Sequence, residues 1–187
     1  DALSLAVENS ILNGFSNKVR IFNYCISDKD DKVLKFYSVL EGAAGSLHKD
    51  FSSTASNLEN YYNVKTKTID KICRDENVIP DFVKIDVEGH EHQVLEGAKE
   101  TALNKKTNFL VEIHSSTLLP IKVNLKRVIS WAKMVNYKVL YLAKMQFIDD
   151  PDYIKNRGRF HLLLAPKTFT PSSRLISIRE GKYRVLD

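Results

Sequence analysis

The chain has 187 residues, enough for one domain with a sizeable core, and its 43% hydrophobic and 27% charged content is an ordinary globular mixture. Its 28 Lys and Arg against 23 Asp and Glu leave a net charge of +5, but the basic residues are dispersed. That favours solvated lysines over a nucleic-acid surface, which would need a basic patch with interleaved aromatics.

Cys25 and Cys73 lie far apart in apolar contexts, with no CxxC or Cys/His ligand spacing, so both read as reduced core thiols and zinc is not expected. No run of about 18 apolar residues encodes a membrane-spanning helix. Residue 1 is Asp, without an initiator Met or a signal peptide. The chain therefore reads as a cytoplasmic fragment from which an upstream segment has been lost.

Residues 2–13 carry Leu3, Ala6, Val7 and Ile11 at helical spacing, and Asn13-Gly14 is a helix stop. Val19 to Ile26 predicts a strand, "SDKDDK" turns it, and Val33 to Val39 predicts a second strand, the two as a hairpin-like extension. Residues 40–60 are polar and aperiodic. With Gly42 and Gly45 they suit either a binding loop or a mobile surface loop. Val64 to Thr68 is a short extended piece, and Thr68 can cap a helix over Ile69 to Asn77 with Asp70 in its first turn.

Pro80 opens a short apolar run, Phe82 to Val87, that predicts a buried strand. Acids follow at once: Asp86, Glu88 and Glu91, with Gly89 between them. Behind them Val94, Leu95, Ala98 and Ala102 share a helical face. The unit reads as strand, tight acidic turn, helix. In an open α/β sheet, ligands bind outside the carboxyl ends of the strands, where Asp86 and Glu88 fall. The same acids suit the capping of the following helix. Capping is the favoured role for Glu91, and a ligand- or proton-binding role for Asp86.

Asn108 to His114 predicts the next buried strand. A helix from about Lys122 to Val135 follows, with Leu125, Val128, Ile129, Ala132 and Val135 inward. Tyr137 to Leu142 is a strand, 143–158 a loop, and Phe160 to Ala165 a last strand before a basic tail. Alternating strands and helices predict a mostly parallel sheet with helices on both faces. Lys84 and Glu112 should meet within about 4 Å on one face of that sheet, with Lys84 beside Glu112 and Asp86 beside His114. The G-x-G-x-x-G, P-loop and G-x-S-x-G fingerprints are missing.

The pieces "LSLAVENSILNGFSNKV", "CISDKDDKVLKF", "TIDKI", "PDFVKIDVEGHEHQVLEGA" and "FLVEIH", in this order, resemble the FkbM-type methyltransferase family. The resemblance is strongest over residues 3–114 and fades beyond about residue 120, leaving 120–187 as a variable part of a single domain, 1–187. It implies an α/β fold: a mostly parallel, Rossmann-like class I methyltransferase sheet flanked by helices. It also implies S-adenosylmethionine as cofactor and O-methylation of a sugar or other small-molecule or glycan hydroxyl. Ser27 and Asp28 lie where the family's adenine contacts fall. Asp86 lies beside the cofactor's methionine part and the reacting methyl, and Glu88, Gly89 and Glu91 complete the same signature. The family's first strand with its glycine-rich turn, and its second strand with a ribose-binding acid, should precede residue 1. The chain as given therefore reads as N-terminally incomplete and is expected to bind the cofactor weakly or not at all. Its strands at 19–26 and 82–87 must then either meet directly or leave unpaired edges.

Methyl transfer from a sulfonium is an in-line displacement that needs the acceptor oxygen aligned and its proton removed. Asp86, His114 and Glu88 are the expected catalytic residues, and Ser27, Asp28 and Asp86 the expected cofactor contacts. His114 also suits a plain strand-end hydrogen bond, and His90 and His92 read as surface residues. Two other classes compete. One is a metal-dependent hydrolase on Asp86, Glu88, His90, Glu112 and His114, which lacks a recognisable ligand motif. The other is a non-catalytic scaffold or binding domain that keeps the fold.

Overall fold

In a computed structural model of the protein, residues 2–38, 45–47, 61–104, 106–116, 119–155 and 157–172 are described. Val39, most of the 40–60 stretch including Gly42, and the basic tail after residue 172 lie outside them.

Helix α1 spans Ala2–Leu12. The expected stop holds: Gly14 adopts φ +69° and Phe15 N donates to Ser10 O at 2.8 Å. Its apolar stripe does not become core, because Val7 and Ile11 are 43% and 61% exposed. The strand expected at 19–26 shortens to β1, Cys25–Ile26. Its parallel ladder has two residue pairs, and Val19, Ile21, Phe22 and Tyr24 stay exposed. Among the described residues, 19–24 have neither a second row of backbone partners nor a buried face to hold them extended.

The hairpin expected next does not form. β2 (Val33–Ser38) is separated from β1 by β4 (Tyr61–Lys67), and β3 (Gly45–Ser46) completes the order β1-β4-β2-β3. Thr66 explains the insertion. It is fully buried, and its hydroxyl donates to Lys29 O at 2.6 Å while accepting from Lys32 N at 3.0 Å. Backbone bonds from Asp31 N to Thr66 O and from Thr66 N to Lys32 O close the contact. The turn at 28–32 wraps around β4 instead of pairing its own two strands.

Thr68 then caps α2 (Ile69–Asp75), accepting from Lys71 N at 3.0 Å. The helix ends just short of the expected Asn77, which takes φ 52°. Thr68→Ala removes this acceptor and should cost about 1 kcal/mol, read as a lower urea midpoint at unchanged slope.

The second sheet contains β5 (Phe82–Ile85), β6 (Asn108–His114), β7 (Tyr137–Tyr141), β8 (Gln146–Ile148) and β9 (Arg159–Pro166), in the order β5-β6-β9-β7-β8. Both sheets are mixed, not mostly parallel. Among the described residues only β1–β4 and β5–β6 pair in parallel. β6 and β7 both run antiparallel to β9, so β5, β6 and β7 share one direction and β9 is the reversed insert. Its run Leu162–Pro166 is buried throughout, as a central strand requires. The loop expected at 143–158 contains β8, reached through Met145 at φ 49°. β1 and β5 do not pair: each is the edge of its own sheet.

Helices α3 (Glu91–Glu96), α4 (Lys99–Leu103) and α5 (Ile121–Met134) bury Val94, Leu95, Ala98, Ala102, Leu125, Val128, Ile129 and Ala132 against Ile85, Phe109, Val111, Ile113, Leu162 and Leu164. The predicted inward residues are all present, and Trp131 joins them edge-on to Phe109 at 5.5 Å. These helices sit on one face of the sheet, not on both. The opposite face carries Lys84, Glu112 and His161. Lys84 Nζ reaches Glu112 Oε2 at 3.2 Å, as expected, although the ladder sets Lys84 beside Leu110. The faces are as expected and the register differs by two residues. Among the described residues no helix is long and apolar enough to cross a membrane.

Candidate functional site at the β5–β6 edge

β5 and β6 are parallel, so their carboxyl ends open on the same edge. Past Ile85 the backbone leaves the sheet, and Glu88 and Gly89 take φ 49° and 95°. Glycine tolerates this conformation, whereas for glutamate it costs on the order of 1 kcal/mol. The turn presents Glu88 beside the end of β6, and Ser46 Oγ donates to Glu88 O at 2.9 Å. His114, only 4% exposed, lies with Nε2 3.4 Å from Glu88 Oε2 and 3.9 Å from Asp86 Oδ1. The edge therefore gathers Asp86, Glu88 and His114. Each offers a ligand atom within 4.8 Å of the others, close enough for a single cation to bridge.

Glu91 corrects the sequence reading. It stands in the first turn of α3 as expected, but it is 0% exposed. Its Oε1 accepts from Gly89 N at 2.9 Å and lies 2.8 Å from His114 Nδ1, and its Oε2 accepts from Asn124 Nδ2 at 3.2 Å. Asn124 Nδ2 also donates to His114 O at 2.9 Å. His90 is likewise not a surface residue: it is 8% exposed and its Nε2 lies 2.9 Å from Ser27 Oγ.

Helical spacing carried both signals. Glu91 is three, four and seven residues before Val94, Leu95 and Ala98, and so falls on the inward face. Asn124 precedes Val128 by four and Trp131 by seven. A polar residue on an apolar stripe is a buried polar group that needs partners.

Burial pulls the His114 pKa down, but the bond to Glu91 and the charges of Glu91, Glu88 and Glu112 outweigh it, so the imidazole sits above its ordinary value. For Asp86, desolvation is the largest influence and pushes up, but the bond to and charge of Lys84, the contact with Glu112 and the charge of His114 together pull further down, leaving it lowered. Glu112 is held by Lys84, by Arg159 Nε at 3.2 Å and by His161 Nε2 at 3.0 Å.

A cleft of about 550 Å³ lies between the end of β1 and this edge. It is lined by Tyr24, Cys25, Ile26, Phe36 and Val64 on one side and by Asp86, Glu88 and His90 on the other. Ser27 and Asp28 stand at its margin, outside the lining. Ser27 is buried and donates to Asp28 Oδ1 at 3.1 Å, and Asp28 is exposed. His114 stands behind Asp86 and Glu88.

The methyltransferase FkbM domain model matches residues 5–139. The chain belongs to the FkbM methyltransferase family. A crystal structure of methyltransferase FkbM from Methylobacillus flagellatus KT is similar over 87% of this chain, with a TM-score of 0.47 and 12% identity. The chain spans 32% of that protein, about a third of its length. No curated protein matches the chain.

The FkbM signature at 84–98 can be read residue by residue. Lys84 bridges Asp86 and Glu112. Glu88 and Gly89 make the left-handed turn. Glu91 ties that turn to β6 and α5. Gly97 lets the break between α3 and α4 approach β1: a Cβ there would overlap the Ser27 carbonyl oxygen and reach Thr68 Cβ at 3.1 Å.

The FkbM domain's cleft thiol yields a direct test. Desolvation pushes the Cys25 pKa up to about 11. At pH 8 its thiolate fraction is then about 0.1%, against roughly a quarter for a free cysteine. Alkylation of Cys25 by iodoacetamide should be on the order of 100-fold slower than that of free cysteine, followed by peptide mass mapping.

Proposed function

We propose that this FkbM domain takes part in S-adenosylmethionine-dependent O-methyl transfer to a hydroxyl of a sugar or other small molecule. We read 1–187 as a single unit of that activity. The observation that carries the proposal is the Asp86–Glu88–His114 group at the carboxyl ends of two parallel strands, two of its members lining the cleft.

The cleft's volume falls within the roughly 300–1,000 Å³ range of small-molecule sites. Its lining suits the cofactor. Tyr24, Ile26, Phe36 and Val64 offer apolar surface for a flat base, and Asp86 and Glu88 offer negative charge for a cationic methionine part. Bound S-adenosylmethionine supplies the methyl group.

The chain's own residues do the rest. Glu88, held by its turn, and Asp86, held by Lys84, orient the acceptor by accepting hydrogen bonds from its other polar groups, which leaves the reacting O–H to His114. His114 takes the hydroxyl proton at Nε2, which turns the oxygen into a better nucleophile. A base so placed contributes typically about 10²–10⁴-fold.

Calorimetric titration of S-adenosylhomocysteine and, separately, of divalent metal into the full-length protein tests the reading. Saturable nucleoside binding supports it. Silence to both supports a non-catalytic scaffold, and metal binding without nucleoside binding supports hydrolytic chemistry. Either result overturns the methyltransferase reading.

A further inference from the structure

We propose that Glu91 is a positioning residue: it fixes His114 as the tautomer protonated on Nδ1 and aims the Nε2 lone pair at the space bounded by Asp86 and Glu88. The role in methyl transfer rests on the function proposed above. The tautomer itself does not.

The argument begins with the donors around Glu91. Gly89 N–H can only donate, and it reaches Oε1. Asn124 presents its amide nitrogen to both Glu91 Oε2 and His114 O. Two acceptors on one atom fix the amide's orientation, since a carbonyl oxygen there would face two other oxygens. Glu91 is thus an acceptor at both oxygens. The remaining neighbour, His114 Nδ1 at 2.8 Å, must then be a donor to Oε1. A neutral imidazole carries one N–H, so the other nitrogen keeps its lone pair.

The carboxylates around Nε2 attract a proton too, so in the neutral ring the single N–H stays on Nδ1 because the contact with Glu91, at 2.8 Å, is the shorter one. Nε2 faces Glu88 Oε2 at 3.4 Å, Glu112 Oε1 at 3.8 Å and Asp86 Oδ1 at 3.9 Å. The nearest basic groups are committed elsewhere: Lys84 to Asp86 and Glu112, and Arg159 and His161 to Glu112. A carboxylate behind one imidazole nitrogen, with the reacting group before the other, holds ring and tautomer for proton abstraction. Glu91 does not line the cleft, so it acts through His114. The anchoring is rigid because it spans three elements, α3, β6 and α5, all buried at this point.

The test is nitrogen-15 NMR of the imidazoles in the full-length protein, at a pH where His114 is neutral, with His114→Asn used to assign the signals. Wild type should show His114 as the Nδ1–H tautomer alone. Glu91→Gln keeps the volume but turns one acceptor into a donor, and should bring the Nε2–H tautomer to a detectable population. Glu112→Gln, which faces His114 only from the Nε2 side, should leave the tautomer as in wild type. In methyl transfer, Glu91→Gln should lower kcat about 10²-fold with KM for the cofactor within about threefold. A wild-type Nε2–H tautomer overturns the proposal without recourse to any variant. So does an unchanged kcat in Glu91→Gln once the tautomer has shifted. An Nδ1–H tautomer in a protein that neither binds nor uses S-adenosylmethionine leaves the tautomer standing and overturns the methyltransferase reading instead.

Discussion

Gly97→Ala should destabilise the domain by about 3 kcal/mol, the upper part of the range for forcing an atom into a packed site. The sign is what makes the experiment informative. Gly97 has φ −82°, which any residue adopts. On helix propensity alone, alanine would be favoured by up to about 1 kcal/mol. The obstacle is the neighbour. The alanine Cβ would overlap the carbonyl oxygen of Ser27 and lie 3.2 Å from its carbonyl carbon. Both atoms are backbone, so no rotamer change relieves the overlap.

Relief would require the α3–α4 break to withdraw from β1. Withdrawal also strains the bond from Asp70 N to Gly97 O at 2.9 Å. Gly158→Ala is the control: nothing lies within 4 Å of its would-be Cβ, and its effect should stay within about 0.5 kcal/mol. Urea denaturation of both variants measures the difference. Equal stability of Gly97→Ala and wild type would mean that β1 and the α3–α4 break are not held in contact.

Asp86→Asn should reduce methyl transfer about 100-fold while changing the urea midpoint little. Its side chain is 45% exposed, so the neutral amide incurs little burial penalty. His114 calls for a different substitution. Alanine would leave Glu91 buried without its imidazole, and removing one partner of a buried charged pair costs about 3–5 kcal/mol. His114→Asn retains an N–H donor for Glu91 and removes the base. It should lose a similar factor in kcat at a stability cost of about 1–2 kcal/mol. Steady-state kinetics beside denaturation curves separates the two effects. A loss of rate that only tracks the loss of stability would make the cluster structural.

Much of the site region was legible because short-range pattern governs it. The stripe Val94–Leu95–Ala98–Ala102 and the strand ending in His114 formed where periodicity placed them, whereas the run expected as a buried strand over Phe82–Val87 formed a shorter edge strand, Phe82–Ile85, with only Ile85 buried. The facing of Lys84 and Glu112 was also as expected. What was not legible depends on distant partners. Nothing local tells β9 to enter between β6 and β7, because a buried apolar run fits a parallel and an antiparallel neighbour equally. Nothing local separates β1 from β2, since the cause is Thr66, far along the chain, reaching into the 28–32 turn. The same limit applies to Glu91. Its phase on the helix showed that it points inward, but its partners His114 and Asn124 come from later elements. An acid after a strand end looks alike whether it caps a helix or grips a histidine.

The late position of β9 also sets a schedule for synthesis. β6 is complete at His114, yet the strand that covers its free side ends only at Pro166. At roughly 5–20 residues per second, several seconds of translation separate the two. During that interval β6 offers a row of unsatisfied amides and carbonyls flanked by Val111 and Ile113, the kind of edge that recruits stray strands. Nascent chains arrested between residues 115 and 158 should therefore depend on chaperones, and those released after residue 166 should not.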